Sequence, residues 1–123
     1  MKLFSRENKA EQLKIIIVGC GEVGFHIAQR LAKENKQVVI IDRRAEALKR
    51  LADYADVQTI QGSGSSPQTL YQAGVADAQI VLAVTDSDET NIIASFFANV
   101  LAPDALKLAR IRNEEYTLYR DAL

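Results

Sequence analysis

Two residue types that often carry chemistry are almost missing from this chain. Cysteine occurs once, as Cys20, which excludes a disulfide within the chain and suits a reducing compartment. Histidine also occurs once, so metal binding or general-base catalysis through imidazole would depend on His26 alone. We therefore expect a cytosolic protein without a disulfide framework and without a metal site.

A surplus of one charge and long hydrophobic runs are lacking as well. The formal net charge is −1 and there is no basic stripe, which argues against nucleic acid as a partner. The longest apolar run, residues 80–84, is far shorter than the roughly 20 residues that span a membrane. Residues 1–13 lack the apolar segment of a secretory signal and are interpreted as a polar lead-in. The composition predicts one soluble, cytoplasmic domain over residues 14–123, without direct membrane insertion.

An apolar run, a glycine motif and an amphipathic stretch follow one another at the start of this domain. Residues 15–18 are all aliphatic, which is typical of a buried parallel strand. The motif G-x-G-x-x-G then supplies Gly19 for a tight turn, Gly21 for close approach of phosphates, and Gly24 for close helix packing. The N–H groups and positive dipole end of the helix would face the same phosphates. The segment predicts a phosphate-binding turn.

An acidic residue ends the second apolar run, 18 positions after Gly24. This residue, Asp42, can accept hydrogen bonds from both hydroxyls of an adenosine ribose and would repel a 2′-phosphate. Arg43 and Arg44 follow directly. They are either a solvated helix start, or one guanidinium lies over the adenine or beside a phosphate. A ribose without a 2′-phosphate is the favoured ligand group.

A loop rich in small residues follows the predicted third strand, residues 56–61. Gly62, Ser63 and Gly64 lie at the carboxyl end of that strand, where open α/β sheets bind ligands. They could contact an adenine edge, or serve only as a tight turn. Ser66 and Pro67 then have the residue types of an N-cap and a first helical position.

The run TDSDETN, residues 85–91, follows the predicted fourth strand, residues 79–84. Asp86 and Glu89 have the spacing of a capping box, and a functional role is an equal alternative. Three acids make a poor phosphate site, and a metal site there is a weak hypothesis beside a single histidine. The helix that follows has a wide apolar face around Phe96 and Phe97, which predicts burial or a protein interface.

Five predicted strands alternate with helices, the fifth over residues 106–111 with Arg110 near its carboxyl end, and a helix starts in 113–123. Right-handed crossovers place such helices on both faces of the sheet. The predicted fold is α/β: a Rossmann-like, doubly wound parallel sheet in three layers and one domain.

Three stretches together resemble one family: KIIIVGCGEVGFHIAQRLAKENKQVVIID, GSGSSPQTLYQAGVADAQIVLAVTDSDETN and LARIRNEEY. They are similar to the TrkA-N, or RCK N-terminal, domain, a nucleotide-binding module that regulates potassium transporters and channels. The resemblance covers roughly residues 14–120. It implies a non-enzymatic cytoplasmic domain, held at the inner face of the membrane by a transporter or channel subunit and paired with further copies of itself. It also implies a sixth strand, so the chain is expected to be a fragment of a longer regulator rather than a natural short form.

The resemblance also implies roles for matching residues. From the adenine end of the ligand, these are Ser63 and Gly64 at the adenine, Asp42 at the ribose, Gly19, Gly21 and Gly24 with Glu22 and Val23 at the diphosphate, and Thr85, Asp86 and Arg110 at the distal part. Their neighbours Arg43, Arg44 and Gly62 are further candidate cofactor-binding residues, as is Cys20, whose side chain is interpreted as a small turn residue rather than a redox group. Ser63 departs from the family, since many members carry Asp there. Glu22 stands where ATP-binding members often have Arg, and its carboxylate would repel a triphosphate. The implied cofactor is therefore NAD(H), with ATP or ADP as the alternative.

Two other functions remain to be weighed. The domain could be the cofactor-binding half of an NAD-dependent oxidoreductase, but such an enzyme needs a substrate domain and an acid or base beside the nicotinamide. It could also be a Rossmann-like interaction domain that has lost its ligand. The intact glycines and Asp42 argue against that loss.

Overall fold

The computed structural model describes residues 12–119 and residue 121, so most of the polar lead-in predicted for residues 1–13 lies outside the described residues. The strands are β1 Lys14–Val18, β2 Gln37–Asp42, β3 Gln58–Gln61, β4 Ile80–Ala83 and β5 Leu106–Ala109. The α-helices are α1 Glu22–Lys33, α2 Ala45–Ala52, α3 Pro67–Gln72, α4 Asp88–Leu101 and α5 Glu114–Thr117, with a 3-10 turn at Val75–Asp77.

The five strands form one parallel sheet in the order β3-β2-β1-β4-β5. This confirms the predicted doubly wound Rossmann-like fold. The chain runs outward from β1 to β3 and then crosses to β4 on the other side of β1. The connections that leave β1 and β4 therefore turn away from each other, which opens a crevice at the carboxyl ends of these strands.

Both faces of the central strands are buried, which explains why they read as continuous aliphatic runs rather than alternating ones. Ile15 and Ile17 pack in a cluster with residues of α1 and α2. Ile16 and Val18 pack on the opposite face, in a cluster that includes residues of α3 and α4. The sheet is thus the middle of three layers. In the described part of the chain, no helix combines the length and the hydrophobicity needed to cross a bilayer.

The N-cap of α3 is the residue predicted from the sequence, whereas the N-cap of α4 is a different one. Ser66 caps α3 by accepting a hydrogen bond from Thr69 N, with Pro67 at the first position, as predicted. The capping-box prediction for Asp86 is wrong, because Ser87 caps α4 and accepts from Thr90 N at 3.1 Å. The Asp86 side chain is instead 92% exposed and points toward Arg110.

The wide apolar face of α4 divides into two parts. Ala94 and Ala98 are fully buried against the sheet, and Phe97 is partly buried beside them. Ile93, Phe96 and Val100 form an exposed stripe at helical spacing, with Phe96 61% exposed. The predicted burial is therefore found on one part of the face, and the protein interface stays a prediction for the exposed stripe.

Candidate functional site

A cleft of about 440 Å³ lies at the carboxyl ends of the strands. The sequence-predicted site residues that line it are Gly19, Gly21, Glu22, Val23, Asp42, Arg43, Arg44, Gly62, Ser63, Gly64, Thr85, Asp86 and Arg110. Cys20 and Gly24 do not line it. Residues that sequence reasoning missed are Val18, Ile41 and Val84 at the strand ends and the hydroxyl-bearing Ser87 and Thr90. The apolar ones could have been found from their places next to the predicted strand ends.

The glycine turn has a geometry that only glycine allows. Gly19 has φ +109°, and a β-carbon there would lie 2.9 Å from Thr85 N. A β-carbon on Gly24 would overlap the carbonyl oxygen of Gly19, so α1 packs directly on the turn and Gly24 stays behind it. Gly21 is the N-cap of α1 and has no side chain to bond the first N–H groups of the helix. These N–H groups suit an anionic ligand.

Cys20 points away from the cleft although it lies within the glycine motif. Its backbone N–H donates to Asp42 Oδ2 at 2.7 Å, and its thiol donates to the carbonyl oxygen of Ala47 in α2. The side chain is 5% exposed. Burial, together with the negative charge of Asp42, raises the pKa of the Cys20 thiol. The thiol is thus a packed, protonated group that faces α2.

Asp42 is held at the end of β2 by three hydrogen bonds. Oδ2 accepts from Cys20 N, and Oδ1 accepts from Arg44 N at 2.8 Å and from Arg44 Nε at 3.2 Å. Burial of the carboxyl acts to raise its pKa, but the hydrogen bonds from Cys20 and Arg44 outweigh burial and lower the pKa below its ordinary value. A carboxylate has about four acceptor positions, so one remains free. A ribose could bond there with one hydroxyl, and with the second if Arg44 Nε moves aside.

The two arginines after β2 are placed differently. The Arg44 guanidinium pairs with Asp42, and its Nη2 lies 4.0 Å from the position that a β-carbon of Gly21 would take. Its side chain is 58% exposed. Arg43 is exposed, and its carbonyl oxygen accepts from Gln61 Nε2 at the end of β3. Of the two, Arg44 lies between Asp42 and the glycine turn.

The loop after β3 forms a tight turn, and its residues also line the cleft. Ser63 Oγ lies 2.9 Å from Ser65 Oγ, and Ser66 N donates to the carbonyl oxygen of Ser63, which closes a tight turn. Gly64 is buried where a β-carbon would overlap Val18. Gly62, Ser63 and Gly64 still line the cleft. The hydrogen bonds of the tight turn therefore hold in place the part of the cleft wall that these three residues form.

The distal end of the cleft carries one charge of each sign. Arg110 Nη1 lies 3.8 Å from Asp86 Oδ1, a loose contact between a partly buried guanidinium and an exposed carboxylate. Thr85 lies beside them and bonds to Asn91 on α4. Arg110 is thus placed to meet a negative group at this end.

The other acids of the TDSDETN run bind the segment that follows β5. Asp88 accepts from the backbone N–H groups of Arg112 and Asn113, and these bonds lower the pKa of its carboxyl. Glu89 accepts from Tyr116 Oη, and its pKa is lowered by its own backbone N–H and by this hydroxyl. Within residues 12–119 and 121, no three His, Cys, Asp or Glu side chains gather as metal ligands would.

Comparison with known proteins places this geometry in a family. The family model of the TrkA-N domain matches residues 15–122. The chain is 40% identical over 111 residues to the Trk system potassium uptake protein TrkA of Haemophilus influenzae, covering 90% of this chain and 24% of that protein. The chain therefore spans about a quarter of the length of this relative.

Two solved structures with the same fold were determined with a nucleotide bound. The GsuK channel bound to NAD matches with a TM-score of 0.76 and 20% identity, over 90% of this chain and 20% of that one. The Shewanella denitrificans Kef CTD in its AMP-bound form matches with a TM-score of 0.73 and 20% identity, over 89% and 67% of the two chains. The match of the family model over nearly the whole chain is decisive: the chain belongs to the TrkA-N domain family.

Proposed function

We propose that this domain binds NAD(H) in the cleft and acts, without catalysis, as a regulator of a potassium uptake transporter or channel. The observation that carries the proposal is the joint placement of the Gly19–Gly24 turn, the first turn of α1 and Asp42 around one opening. Such a turn receives the diphosphate of a dinucleotide, and the acid receives its ribose. The NAD-bound channel structure and the potassium uptake relatives support this ligand and this role.

The ligand would extend across the whole cleft. Its adenosine half would lie against Asp42 and the loop of Gly62–Gly64, and its diphosphate against the N–H groups that open α1. The distal half would reach Thr85 and Arg110, which line the other end. In this arrangement the Arg44 guanidinium is beside both the ribose and the diphosphate, where a cation is favourable.

Glu22 favours a dinucleotide over ATP. Its side chain is exposed in the first turn of α1 and lines the cleft. A γ-phosphate would add charge near this carboxylate, and like charges at short distance are unfavourable. The AMP-bound neighbour supports recognition of the adenosine half, which NAD, ADP and ATP share. ATP or ADP is accordingly the second candidate.

Regulation requires partners, and the exposed stripe of α4 is suited to a second copy of the domain. Residues 90–103 contain no charged side chain, and Ile93, Phe96 and Val100 lie exposed along them. Apolar surface without like-charge repulsion favours self-association. The homo-oligomer would be cytoplasmic and would reach the membrane through the transporter or channel subunit. Nucleotides would act by binding one arrangement of the copies more tightly than another.

For the oxidoreductase alternative, histidine, the commonest general acid or base, is not at the site. Hydride transfer would need an acid or base beside the nicotinamide. The single histidine, His26, is exposed on α1 and does not line the cleft.

Calorimetric titration of the chain with NADH, NAD, ATP and ADP at one ionic strength tests the proposal. We expect saturable binding of the dinucleotides, with the triphosphate weaker. At one hundred times the Kd, the ligand should stabilise the fold by about 2.7 kcal/mol, so a thermal shift gives an independent reading. Tighter ATP would make the second candidate the ligand, and binding of none of the four would refute a nucleotide-binding role.

A further inference from the structure

A fully buried asparagine joins two of the loops that form the cleft. Oδ1 of Asn91, near the start of α4, accepts from Thr85 N at 2.9 Å and from Thr85 Oγ1 at 2.7 Å. Nδ2 of Asn91 donates to the carbonyl oxygens of Thr85 at 3.0 Å and of Arg110 at 2.8 Å. These bonds use the two acceptor positions and both donors of the carboxamide. These four hydrogen bonds require a planar side-chain group that both accepts and donates, as a carboxamide does.

Asp88 makes a second connection between the same two loops. Its carboxylate accepts from Arg112 N at 3.0 Å and from Asn113 N at 2.7 Å. The Arg112 guanidinium in turn donates to the carbonyl oxygen of Asp86. The chain that follows Arg110 is therefore fixed to the loop after β4 and to the start of α4, although more than twenty residues separate the two in sequence.

The Arg110 side chain itself is held far less firmly than its backbone. Arg110 N donates to the carbonyl oxygen of Ala83, and Arg110 O accepts from Asn91. The guanidinium makes a 3.8 Å contact with Asp86, whose side chain is 92% exposed and contributes little as a restraint. The described contacts therefore fix the point from which the Arg110 side chain extends, while its guanidinium has only the loose contact with Asp86.

We infer that Asn91 and Asp88 are positioning residues that aim Arg110 and Thr85 at the distal half of a bound dinucleotide. This inference rests on the proposed function, because it assigns the distal half of NAD(H) to these two residues. Preorganised contacts bind more tightly because less ordering is left for the ligand to impose. The adenosine half would meet other elements, the end of β2 and the loop of Gly62–Gly64, whereas the hydrogen bonds of Asn91 and Asp88 go to Thr85 and to residues 110–113.

A comparison of NADH with AMP separates positioning from a general loss of structure. AMP carries the adenosine half and one phosphate but has no distal half. A variant that only unfolds part of the protein weakens both ligands by the same factor, since it lowers the folded fraction that both require. A variant that misplaces Arg110 weakens NADH and leaves AMP unchanged.

The experiment measures the Kd of both ligands for the chain and for Asn91→Ala, Asp88→Ala and Asn99→Ala, together with each variant's thermal unfolding. Asn99 is exposed on the same helix and is the matched control. We expect NADH to weaken about fivefold or more in Asn91→Ala and in Asp88→Ala, equivalent to the loss of about 1 kcal/mol, with AMP within about twofold and Asn99→Ala unchanged.

If the variant Asn91→Ala fails to fold, Asp88→Ala still tests the inference. Asp88 is only partly buried, so its replacement should disturb the fold less. Removing its negative charge would by itself favour an anionic ligand, so a weakening of NADH there reports lost hydrogen bonds. Equal weakening of AMP and NADH, or unchanged NADH affinity, overturns the inference while the proposed function stands. Failure of the unaltered chain to bind NADH would refute the proposed function itself.

Discussion

Replacing Asp42 by alanine should damage both the fold and the ligand site. The carboxylate accepts from Cys20 N at 2.7 Å and from Arg44 N at 2.8 Å. Because Cys20 is 5% exposed, its N–H would lose its partner in a place with little access to water. A hydrogen bond to a charged acceptor contributes about 1.5–3 kcal/mol, and the exposed Arg44 side chain adds little. We expect Asp42→Ala to lower the free energy of unfolding by about 2–4 kcal/mol.

The dependence of this loss on pH follows from the lowered pKa of Asp42. Hydrogen bonds from Cys20 and Arg44 stabilise the ionised form in the folded state, so the unfolded chain binds this proton more readily. The contribution of Asp42 is complete above its unfolded pKa of about 3.9 and is lost as the pH falls through the lower folded value. The difference in stability between the unaltered chain and Asp42→Ala should therefore be constant from neutral to mildly acidic pH and shrink under strong acid.

Urea unfolding at neutral pH and in strong acid measures this difference, with Asp53→Ala as the matched control at an exposed helix end. Calorimetry at neutral pH measures ligand affinity, which should fall by about 1.5–3 kcal/mol in Asp42→Ala as a charge-assisted hydrogen bond to the ribose is lost. A stability difference that is the same at both pH values would refute the role given to the ionised carboxylate. Unchanged NADH affinity would remove Asp42 from the site.

Three further changes test other parts of the account. Gly24→Ala should lower the free energy of unfolding, measured in urea, by more than about 2 kcal/mol, because its β-carbon would overlap the backbone of Gly19. A decrease below about 0.5 kcal/mol would contradict this packing. Glu22→Arg should strengthen ATP relative to NADH in paired titrations by exchanging a repulsive charge for an attractive one, and an unchanged ratio would refute the argument from Glu22. Phe96→Ser should shift sedimentation toward the monomer with little change in thermal unfolding, since Phe96 is exposed; unchanged sedimentation would exclude the α4 stripe as the contact.

The fold could be predicted because its signals are local. Each signal spans only a few residues, as in the aliphatic runs, the glycine spacing and the Ser66–Pro67 helix start. The parallel orientation of the strands follows from the alternation of strands with helices. The general position of the cleft followed too, because the carboxyl ends of parallel strands meet at one edge.

The details that escaped prediction depend on contacts between distant residues. Cys20 turns toward α2 because its N–H is fixed by Asp42, which spacing alone does not reveal. Asn91 becomes important only because β4 and β5 are neighbours, which brings Arg110 to its amide. Thr85, Asp88 and Asn91 follow one another at a spacing of three residues, T-x-x-D-x-x-N. This spacing can be seen in the sequence, but the hydrogen bonds that connect the three residues to the segment after β5 cannot.

A crystal structure of the chain with NADH tests the central claim most directly. The account predicts the diphosphate against the backbone N–H groups of Gly21, Glu22 and Val23, the adenosine ribose on Asp42, and the distal half beside Thr85 and Arg110. A ligand that occupies another surface, or a cleft that stays empty at saturating NADH, would contradict it.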